Sequence, residues 1–279
     1  MDLGPLGTPL TGGSIRRRRG PRLHRLSPTR RFSTRAVSYA RFRPLYPSAA
    51  IDAVLEGLGA PSRLQAADVG AGTGIASRLL ARRRVRVTAI EPNREMRRAA
   101  SPHPLIGWRR GTAERTGLPD ASVDLVLSAQ AFHWFRPRAA LAEFHRVLRS
   151  NGRLALLWNN RDDRDPFTAA FGRLVRAAAR NHPASRRSQT PHALLRSPLF
   201  RRLRRLEFPH HQLLDLSSLI GRTRSVSYLP RAGRRTSALE EALRPLVARF
   251  ADGTGKVRLV FRTTLFLARR APLSRSRAR

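Results

Sequence analysis

Residues 64–81, LQAADVGAGTGIASRLLA, constrain the fold more than any other stretch of the chain. An apolar, strand-like run ends at Asp68 and Val69, and a loop with glycines at 70, 72 and 74 leads into a helical pattern. Glycine tolerates positive φ and lets a ligand approach the bare backbone. The free N–H groups of a helix start attract polar or anionic groups. The stretch therefore predicts a strand, a glycine loop and a helix that together bind a nucleotide-like ligand.

The spacing of the glycines separates this loop from the dinucleotide fingerprint. Here it is G-x-G-x-G, whereas the fingerprint is G-x-G-x-x-G, so a dehydrogenase is disfavoured. Glu91 ends the next strand-like run, VRVTAIE, and an ionised carboxylate offers paired acceptors to the two hydroxyls of a ribose. An alternative remains open, because Pro92 can begin a helix and place Glu91 near the positive end of its dipole.

Two further stretches follow in order, GTAE at residues 111–114 and VDLVLSAQAFHWF at residues 123–135. With the glycine loop and Glu91, they resemble the class I S-adenosylmethionine-dependent methyltransferases. Within that class, the segment YARFRPLYP at residues 39–47 resembles one that precedes the glycine loop in the type 11 and trans-aconitate-methyltransferase-like enzymes that act on small molecules. The resemblance covers about residues 32–270. It implies S-adenosylmethionine as methyl donor and no metal.

The rest of the chain alternates strand-like and helical patterns, which favours a parallel sheet with helices on both faces. With the resemblance, this predicts an α/β, Rossmann-like fold, a seven-stranded mostly parallel sheet with a C-terminal antiparallel hairpin. Ligands then bind beyond the carboxyl ends of the strands. Strands are predicted at residues 64–69, 85–91, 105–108, 123–127, 153–158, 203–214 and 256–269, with a turn at 150–152. Helices are predicted from Ile75, near Pro92, around 140–148, from Pro166 and at 237–250.

The resemblance also assigns contacts to the cofactor. Asp68 would orient the loop near the amino group of the methionine part, Glu114 would lie near the adenine, and Gln130 near the sulfonium. Asp68 has the alternative of a purely structural buried acid, and Glu114 that of an ordinary exposed charge. The predicted cofactor-binding residues are Tyr39, Arg43, Asp68, Gly70, Gly72, Gly74, Glu91, Ala113, Glu114 and Gln130.

His133 and Trp134 are the candidates for contact with the methyl acceptor. His133 follows a strand end, where it can accept a proton from the acceptor or hydrogen-bond it. A structural histidine is the alternative. Trp134 and Phe135 are expected to pack an apolar substrate or the sulfonium, and core packing is the alternative for Phe135. Trp158, Asn159 and Asn160 close the fifth strand and are expected to point toward the site, with a loop cap as the alternative role of the asparagines.

The sequence excludes several other site chemistries. The chain has no cysteine, so it forms no disulfide, thiolate metal site or cysteine nucleophile. The metalloprotease pattern H-E-x-x-H is absent, and neither His210-His211 nor Asp162-Asp163 has the spacing of a metal site. We therefore predict no metal.

The formal net charge of +37 supports two readings. It indicates binding to nucleic acid or an acidic membrane surface. Alternatively, it reflects a GC-rich coding sequence, because Lys256 is the only lysine and the arginines are scattered along the chain. Either reading predicts nonspecific association with nucleic acid at low salt.

We predict one domain at residues 32–270, with an N-terminal lid at 32–60 that contains Tyr39 and Arg43 and a substrate cap within 161–230. An aromatic patch that packs the N-terminal helix on the sheet is the alternative to the lid. Residues 1–31 and 271–279 are expected to be disordered tails, the first Arg-rich and also similar in composition to a transit peptide. No apolar run approaches the roughly 20 residues that cross a bilayer, and a cytoplasmic protein is expected.

The function that these features favour is methyl transfer from S-adenosylmethionine to a small organic molecule. One alternative is a methyltransferase that acts on RNA or another polyanion, for which the arginines form the docking surface. Another is a non-catalytic nucleic-acid-binding protein of the same fold.

Overall fold

Strands and helices alternate along the chain as the sequence predicts. The structure is a computed structural model that describes residues 42–180, 182, 190–230 and 232–272. The strands are β1 (Gln65–Val69), β2 (Arg86–Ile90), β3 (Ile106–Arg109), β4 (Val123–Ala129), β5 (Leu148–Arg161), β6 (Phe200–Leu214) and β7 (Val257–Arg270). The helices are α1 (Ser48–Leu55), α2 (Ile75–Ala81), α3 (Arg94–Arg98), α4 (Pro137–Val147), α5 (Pro166–Ala178), α6 (His192–Leu195), α7 (Leu216–Arg224) and α8 (Arg234–Phe250). Two 3-10 turns lie at Pro61–Arg63 and Phe132–Trp134.

The seven strands form one sheet in the order β3-β2-β1-β4-β5-β7-β6. The first five strands pair in parallel, and β7 pairs antiparallel with both β5 and β6. This confirms the predicted fold, including the antiparallel C-terminal strands. The chain reverses its direction of travel across the sheet between β1 and β4, and in open α/β sheets ligands bind at such a switch point.

Apolar residues of the strands alternate between the two faces of the sheet, and each face buries a core. One core contains Ala66 and Leu125 and packs against α1 and α2. The other contains Ala67 and Val126 and packs against α4. Burial on both faces explains why the parallel strands read as continuous apolar runs.

A third core lies beyond the carboxyl end of β5. It joins α5, α7 and α8 to the first residues of β7. Asp165 begins α5, because its side chain accepts the N–H of Thr168, and Asp215 caps α7 in the same way through Ser218. The second half of the chain therefore builds a helical layer at the edge of the sheet where the glycine loop lies.

Several boundaries differ from the predictions for local reasons. The helix expected near Pro92 begins at Arg94, since Asn93 is its N-cap and accepts the N–H of Met96. The predicted turn at 150–152 lies inside β5, where three extra residues bulge between the pairs Val123–Leu148 and Leu125–Arg153. The predicted domain limits, the lid and the cap stay predictions.

Within the parts of the chain that the structure describes, no helix combines the length and apolar character needed to cross a bilayer.

Candidate active site at the carboxyl edge of the sheet

The glycine loop joins β1 to α2 in a conformation that needs glycine. Gly70, Gly72 and Gly74 have φ of +73°, +59° and +75°, a region that L side chains rarely adopt. The backbone N–H groups of Gly70 and Ala71 both donate to the carbonyl of Ile90, over 2.9 and 3.1 Å. The loop is therefore held against the end of β2.

Neighbouring side chains also leave little room for a Cβ at the first and third glycines of the loop. A Cβ on Gly70 would lie 2.6 Å from the Cβ of Ala131 and 3.1 Å from the ring of Phe135. A Cβ on Gly74 would lie 3.0 Å from the ring of Trp108. The segment after β4 thus packs directly on the glycine loop, which brings two of the predicted motifs together.

Glu91 lies at the end of β2 and is only 8% exposed. Its Oε2 accepts the N–H of Gly72 over 3.0 Å, and its Oε1 accepts the N–H of Asn93 over 2.9 Å. Burial raises the pKa of Glu91, although the two N–H bonds oppose this shift. Each carboxylate oxygen has a further lone pair beyond the one it uses. Glu91 can therefore hold the loop and still accept the hydroxyls of a diol.

Asp68 lies at the end of β1 and is 1% exposed. Its Oδ2 accepts the hydroxyl of Ser77 over 2.6 Å. Its Oδ1 is buried and accepts no hydrogen bond from any residue that the structure describes. Burial raises the pKa of Asp68 to about 6, and the nearby charge of Glu91 adds to the shift. Because an unmatched buried carboxylate oxygen is costly, this one fits a ligand with a positively charged donor such as an ammonium group.

Further polar atoms lie at the ends of β4 and β5. Gln130 has φ of +58°, and its backbone N–H donates to Leu157 over 2.8 Å. Its Nε2 donates to the carbonyl of Asn159 over 3.0 Å. The side-chain oxygens of Gln130, Ser128 and Asn160 are buried and have no donor within the described ranges. These oxygens leave hydrogen-bond acceptors for a ligand at this edge of the sheet.

The predicted adenine residues lie in a tight turn that precedes β4. Ala113 is 2% exposed and belongs to the core on the α4 face. Glu114 accepts the N–H of Arg136 over 2.7 Å, and its side chain is 15% exposed. Glu114 thus ties the turn to the start of α4. The predicted contact of Glu114 with the adenine stays a prediction.

His133 and Trp134 lie in the 3-10 turn after β4. The indole Nε1 of Trp158 donates to Nδ1 of His133 over 3.3 Å. In a neutral imidazole whose Nδ1 accepts, the proton is on Nε2. In this state Nε2 of His133 carries the proton and cannot act as a base. Trp134 is 8% exposed, with its ring centroid 5.2 Å from that of His133.

Of the two predicted lid residues, Tyr39 lies outside the described residues. Arg43 donates from Nη2 to the carbonyl of Ser225 over 3.0 Å. This contact joins the 42–47 segment to the end of α7, within the predicted cap. The structure therefore brings the first described part of the lid and the cap together.

Sequence reasoning missed Ser77 and the pairing of Trp158 with His133 in this site. Ser77 is fully buried beside Asp68, and a lone hydroxyl on the apolar face of the predicted helix was the signal that could have found it. Trp158 orients His133 from the neighbouring strand, and nothing in the sequence pairs those two residues. Among the described residues, no group of three or more histidine, aspartate and glutamate side chains is arranged to hold a metal ion.

Comparison with known proteins agrees with this geometry. The methyltransferase domain family matches residues 67–156, which include the glycine loop, Glu91 and the 3-10 turn. A solved structure from Anaeromyxobacter dehalogenans, assigned as a type II methyltransferase, is 30% identical with a TM-score of 0.53. The match covers 82% of this chain and 97% of that one. The chain belongs to the class I S-adenosylmethionine-dependent methyltransferases.

Relatives of this methyltransferase family include two curated proteins without an assigned substrate. An uncharacterized methyltransferase of Mycobacterium tuberculosis is 43% identical over 147 residues, which are 52% of this chain and 58% of that protein. An uncharacterized methyltransferase-like protein of Schizosaccharomyces pombe is 29% identical over 246 residues, 86% of this chain and 96% of that protein. The match to the mycobacterial relative thus spans less than two thirds of its length.

Proposed function

We propose that the protein transfers a methyl group from S-adenosylmethionine to a small organic molecule. The observation that carries the proposal is the pair of buried acids, Asp68 and Glu91, that lie beside the glycine loop. Glu91 presents acceptors for a ribose diol, and Asp68 has a buried Oδ1 without a donor among the described residues. S-adenosylmethionine contains both a ribose and an α-ammonium group, so one ligand matches both acids.

The bound donor supplies an electrophilic methyl on a sulfonium, which is already a good leaving group. The residues of the chain therefore have to align the acceptor with the methyl and exclude water. The buried side-chain oxygens of Ser128 and Gln130 lie at the end of β4, where they can accept hydrogen bonds from the substrate and align it. Trp158 donates to Nδ1 of His133 and so holds the imidazole beside the end of β4, where we expect it to orient the acceptor.

Contacts between the predicted lid and the predicted cap support a small acceptor. Phe42 packs so closely on α7 that a Cβ on Gly221 would lie 2.4 Å from its ring. Arg43 adds its hydrogen bond to Ser225. A lid and a cap that contact each other in this way would favour an enclosed acceptor over a long polymer that has to pass through the site.

Calorimetry with S-adenosylmethionine tests the proposal. We expect Glu91→Ala to weaken binding by about tenfold or more, on the order of 1.4 kcal/mol. Glu95→Ala is the matched control, since it removes the same charge from an exposed position four residues away, in the first turn of α3. Moderate salt suppresses nonspecific contacts. Failure of the folded parent protein to bind would refute the proposal, as would equal losses in the two variants.

A second candidate, a methyltransferase acting on RNA or another polyanion, rests on the opposite edge of the sheet. There Arg269 of β7 pairs in register with both Arg153 of β5 and Arg201 of β6. Like charges directly opposite each other destabilise a sheet. Arg202, next to this row, has φ of +53° in a bulge of β6. A polyanion bound to the exposed Arg201 and Arg202 would offset the charge repulsion in this row.

Binding of an RNA duplex at several salt concentrations separates the two candidates. If the row is a docking surface, Arg201→Ser with Arg202→Ser should reduce the slope of log K against log salt by about 1 to 2. The control pair, Arg244→Ser with Arg249→Ser, removes equal charge from the exposed side of α8. Equal effects of the two pairs would show diffuse attraction by net charge and leave the small-molecule proposal in place.

A further inference from the structure

Asn159 is the third residue from the end of β5 and contacts four other parts of the chain. Its side-chain Nδ2 donates to the carbonyl of Leu45 over 3.1 Å. Its Oδ1 accepts the hydroxyl of Thr263 over 2.5 Å and lies 3.2 Å from Nε2 of His210. Its own carbonyl accepts Nε2 of Gln130 over 3.0 Å. Asn159 is 8% exposed, so water does not substitute freely for these partners.

One side of this set of contacts leads to the glycine loop. Gln130 is followed by Ala131, whose Cβ fills the space where a Cβ on Gly70 would lie. The carbonyl of Asn159 fixes the side chain of Gln130, and the carbonyl of Leu157 fixes its backbone. Gln130 and Ala131 therefore connect Asn159 to the glycine loop, which we propose binds the donor.

The other side leads to the 42–47 segment. Its first residue, Phe42, packs on Gly221 of α7, and Arg43 donates to Ser225 at the end of that helix. Tyr46 is buried in the core beside α1. Between these contacts, the carbonyl of Leu45 receives the Nδ2 of Asn159. A single side-chain bond therefore links the middle of this segment to the end of β5.

The orientation of the Asn159 amide follows from its partners. Asn159 and Thr263 are register partners in β5 and β7, and Thr263 is fully buried. Nε2 of His210 lies 2.9 Å from the Thr263 hydroxyl as well. When the Thr263 hydroxyl donates to Oδ1 of Asn159, the Nε2–H of His210 is the second donor on that side of the amide. The amide oxygen consequently faces β7 and β6, and its NH₂ faces Leu45.

We infer that Asn159 is a positioning residue that holds the 42–47 segment against the donor site and thereby slows release of S-adenosylmethionine. The inference rests on the proposed function, because it concerns the residence of the same donor. Asn159 lies outside the glycine loop and is not one of the residues proposed to contact the ribose. Segments that close over a site commonly set the rate at which a ligand leaves.

Asn159→Asp separates this role from general structural support. The carboxylate keeps acceptors toward Thr263 and His210, whereas toward Leu45 it places an oxygen against a carbonyl oxygen. At pH 8, where the carboxylate is ionised, we expect the dissociation constant of S-adenosylmethionine to rise by about tenfold or more. The increase should appear in the dissociation rate measured by stopped flow, with little change in the association rate.

Thr263→Val is the matched control. It removes the hydroxyl that donates to Oδ1 but leaves the Nδ2 bond to Leu45. We expect its melting temperature to fall while donor affinity stays within about threefold of the parent. Asn159→Ala, which removes both ends of the amide, should reproduce the faster release if the Asp variant does not fold.

Hydrogen exchange of the ligand-free protein keeps this test independent of donor binding. Leu45 and Tyr46 lie between Pro44 and Pro47, so a peptide over residues 42–47 reports few amides. These amides should exchange faster in Asn159→Asp than in Thr263→Val. Equal exchange in both variants, or unchanged donor release in Asn159→Asp, would overturn the inference. If the parent fails to bind the donor, the proposed function fails, and the exchange result still decides whether Asn159 holds the segment.

Discussion

The backbone N–H of Gly72 donates to Oε2 of Glu91 over 3.0 Å, so the middle of the glycine loop and the acid that ends β2 form one unit. The N–H of Asn93 occupies the other carboxylate oxygen. Two converging N–H groups fix the plane of the carboxylate, and a buried carboxylate in a fixed plane is preorganised to accept a diol. The acid thus contributes to the shape of the loop as well as to its affinity.

Glu91→Gln tests this double role. An amide has one acceptor oxygen, so either Gly72 or Asn93 would face an NH₂ group instead of an oxygen. We expect the free energy of unfolding to fall by about 1 to 3 kcal/mol, the usual effect of an unmatched buried donor. Chemical denaturation measures it, with Glu95→Gln as control at the exposed position in α3. Equal stability of the two variants would show that the N–H contacts do not support the loop.

Substitutions of two glycines separate backbone strain from steric exclusion. Gly70 and Gly57 have similar φ, +73° and +67°, but a Cβ meets Ala131 at 2.6 Å at the first and nothing within 4 Å at the second. Gly57→Ala should cost about 1 to 2 kcal/mol from the left-handed backbone alone. Gly70→Ala should cost about 1 to 3 kcal/mol more because the packing around it must move. Thermal denaturation compares them, and equal losses would mean that the segment after β4 yields freely.

Most of the fold could be predicted because its signals are local. Alternation of apolar strands with helical patterns indicates the parallel sheet, and three glycines with Glu91 locate its ligand edge. Contacts between distant residues were not accessible in this way. The bulge that takes up residues 150–152 arises from pairing with β4, and no local pattern shows it.

The residues of the site also differ in whether local sequence patterns could predict their positions. Asp68, Glu91 and Gln130 each end a strand, so topology alone brings them together. The bond of Glu114 to Arg136 joins two loops 22 residues apart, and the bond of Asn159 to Leu45 spans 114 residues. Such partners are chosen by tertiary packing, which single-sequence patterns do not encode. The cofactor roles of the individual residues and the cytoplasmic location stay predictions.

Donor binding should depend on pH through Asp68. Burial raises its pKa to about 6, so the ligand-free folded protein holds this proton more tightly than the unfolded chain does. Stability from this group is therefore present at low pH and lost as pH rises through about 6, and a bound ammonium would offset that loss. We expect the dissociation constant of S-adenosylmethionine to rise by up to about tenfold per pH unit below 6.

Asp68→Asn provides the comparison for that profile. The variant should bind more weakly at pH 7.5 and lose the part of the pH dependence that Asp68 contributes. Glu91 is buried too, and its raised pKa leaves a residual dependence. Calorimetry at pH 5, 6 and 7.5 measures both proteins. A parent whose affinity stays constant across this range would contradict the assignment of the ammonium to Asp68.

The tautomer of His133 decides what this residue can do for the acceptor. Because Trp158 donates to Nδ1 over 3.3 Å, we expect long-range proton–nitrogen NMR to show the Nε2–H form in the neutral imidazole. His133→Asn keeps an acceptor near the indole and should lose less stability than His133→Ala, which leaves the buried indole N–H unmatched at a cost of about 1 to 3 kcal/mol. If His133 only orients the acceptor, His133→Asn should retain methyl transfer within about tenfold, whereas loss of a general base typically costs about 10²- to 10⁴-fold. A dominant Nδ1–H form together with the larger loss would restore the base hypothesis.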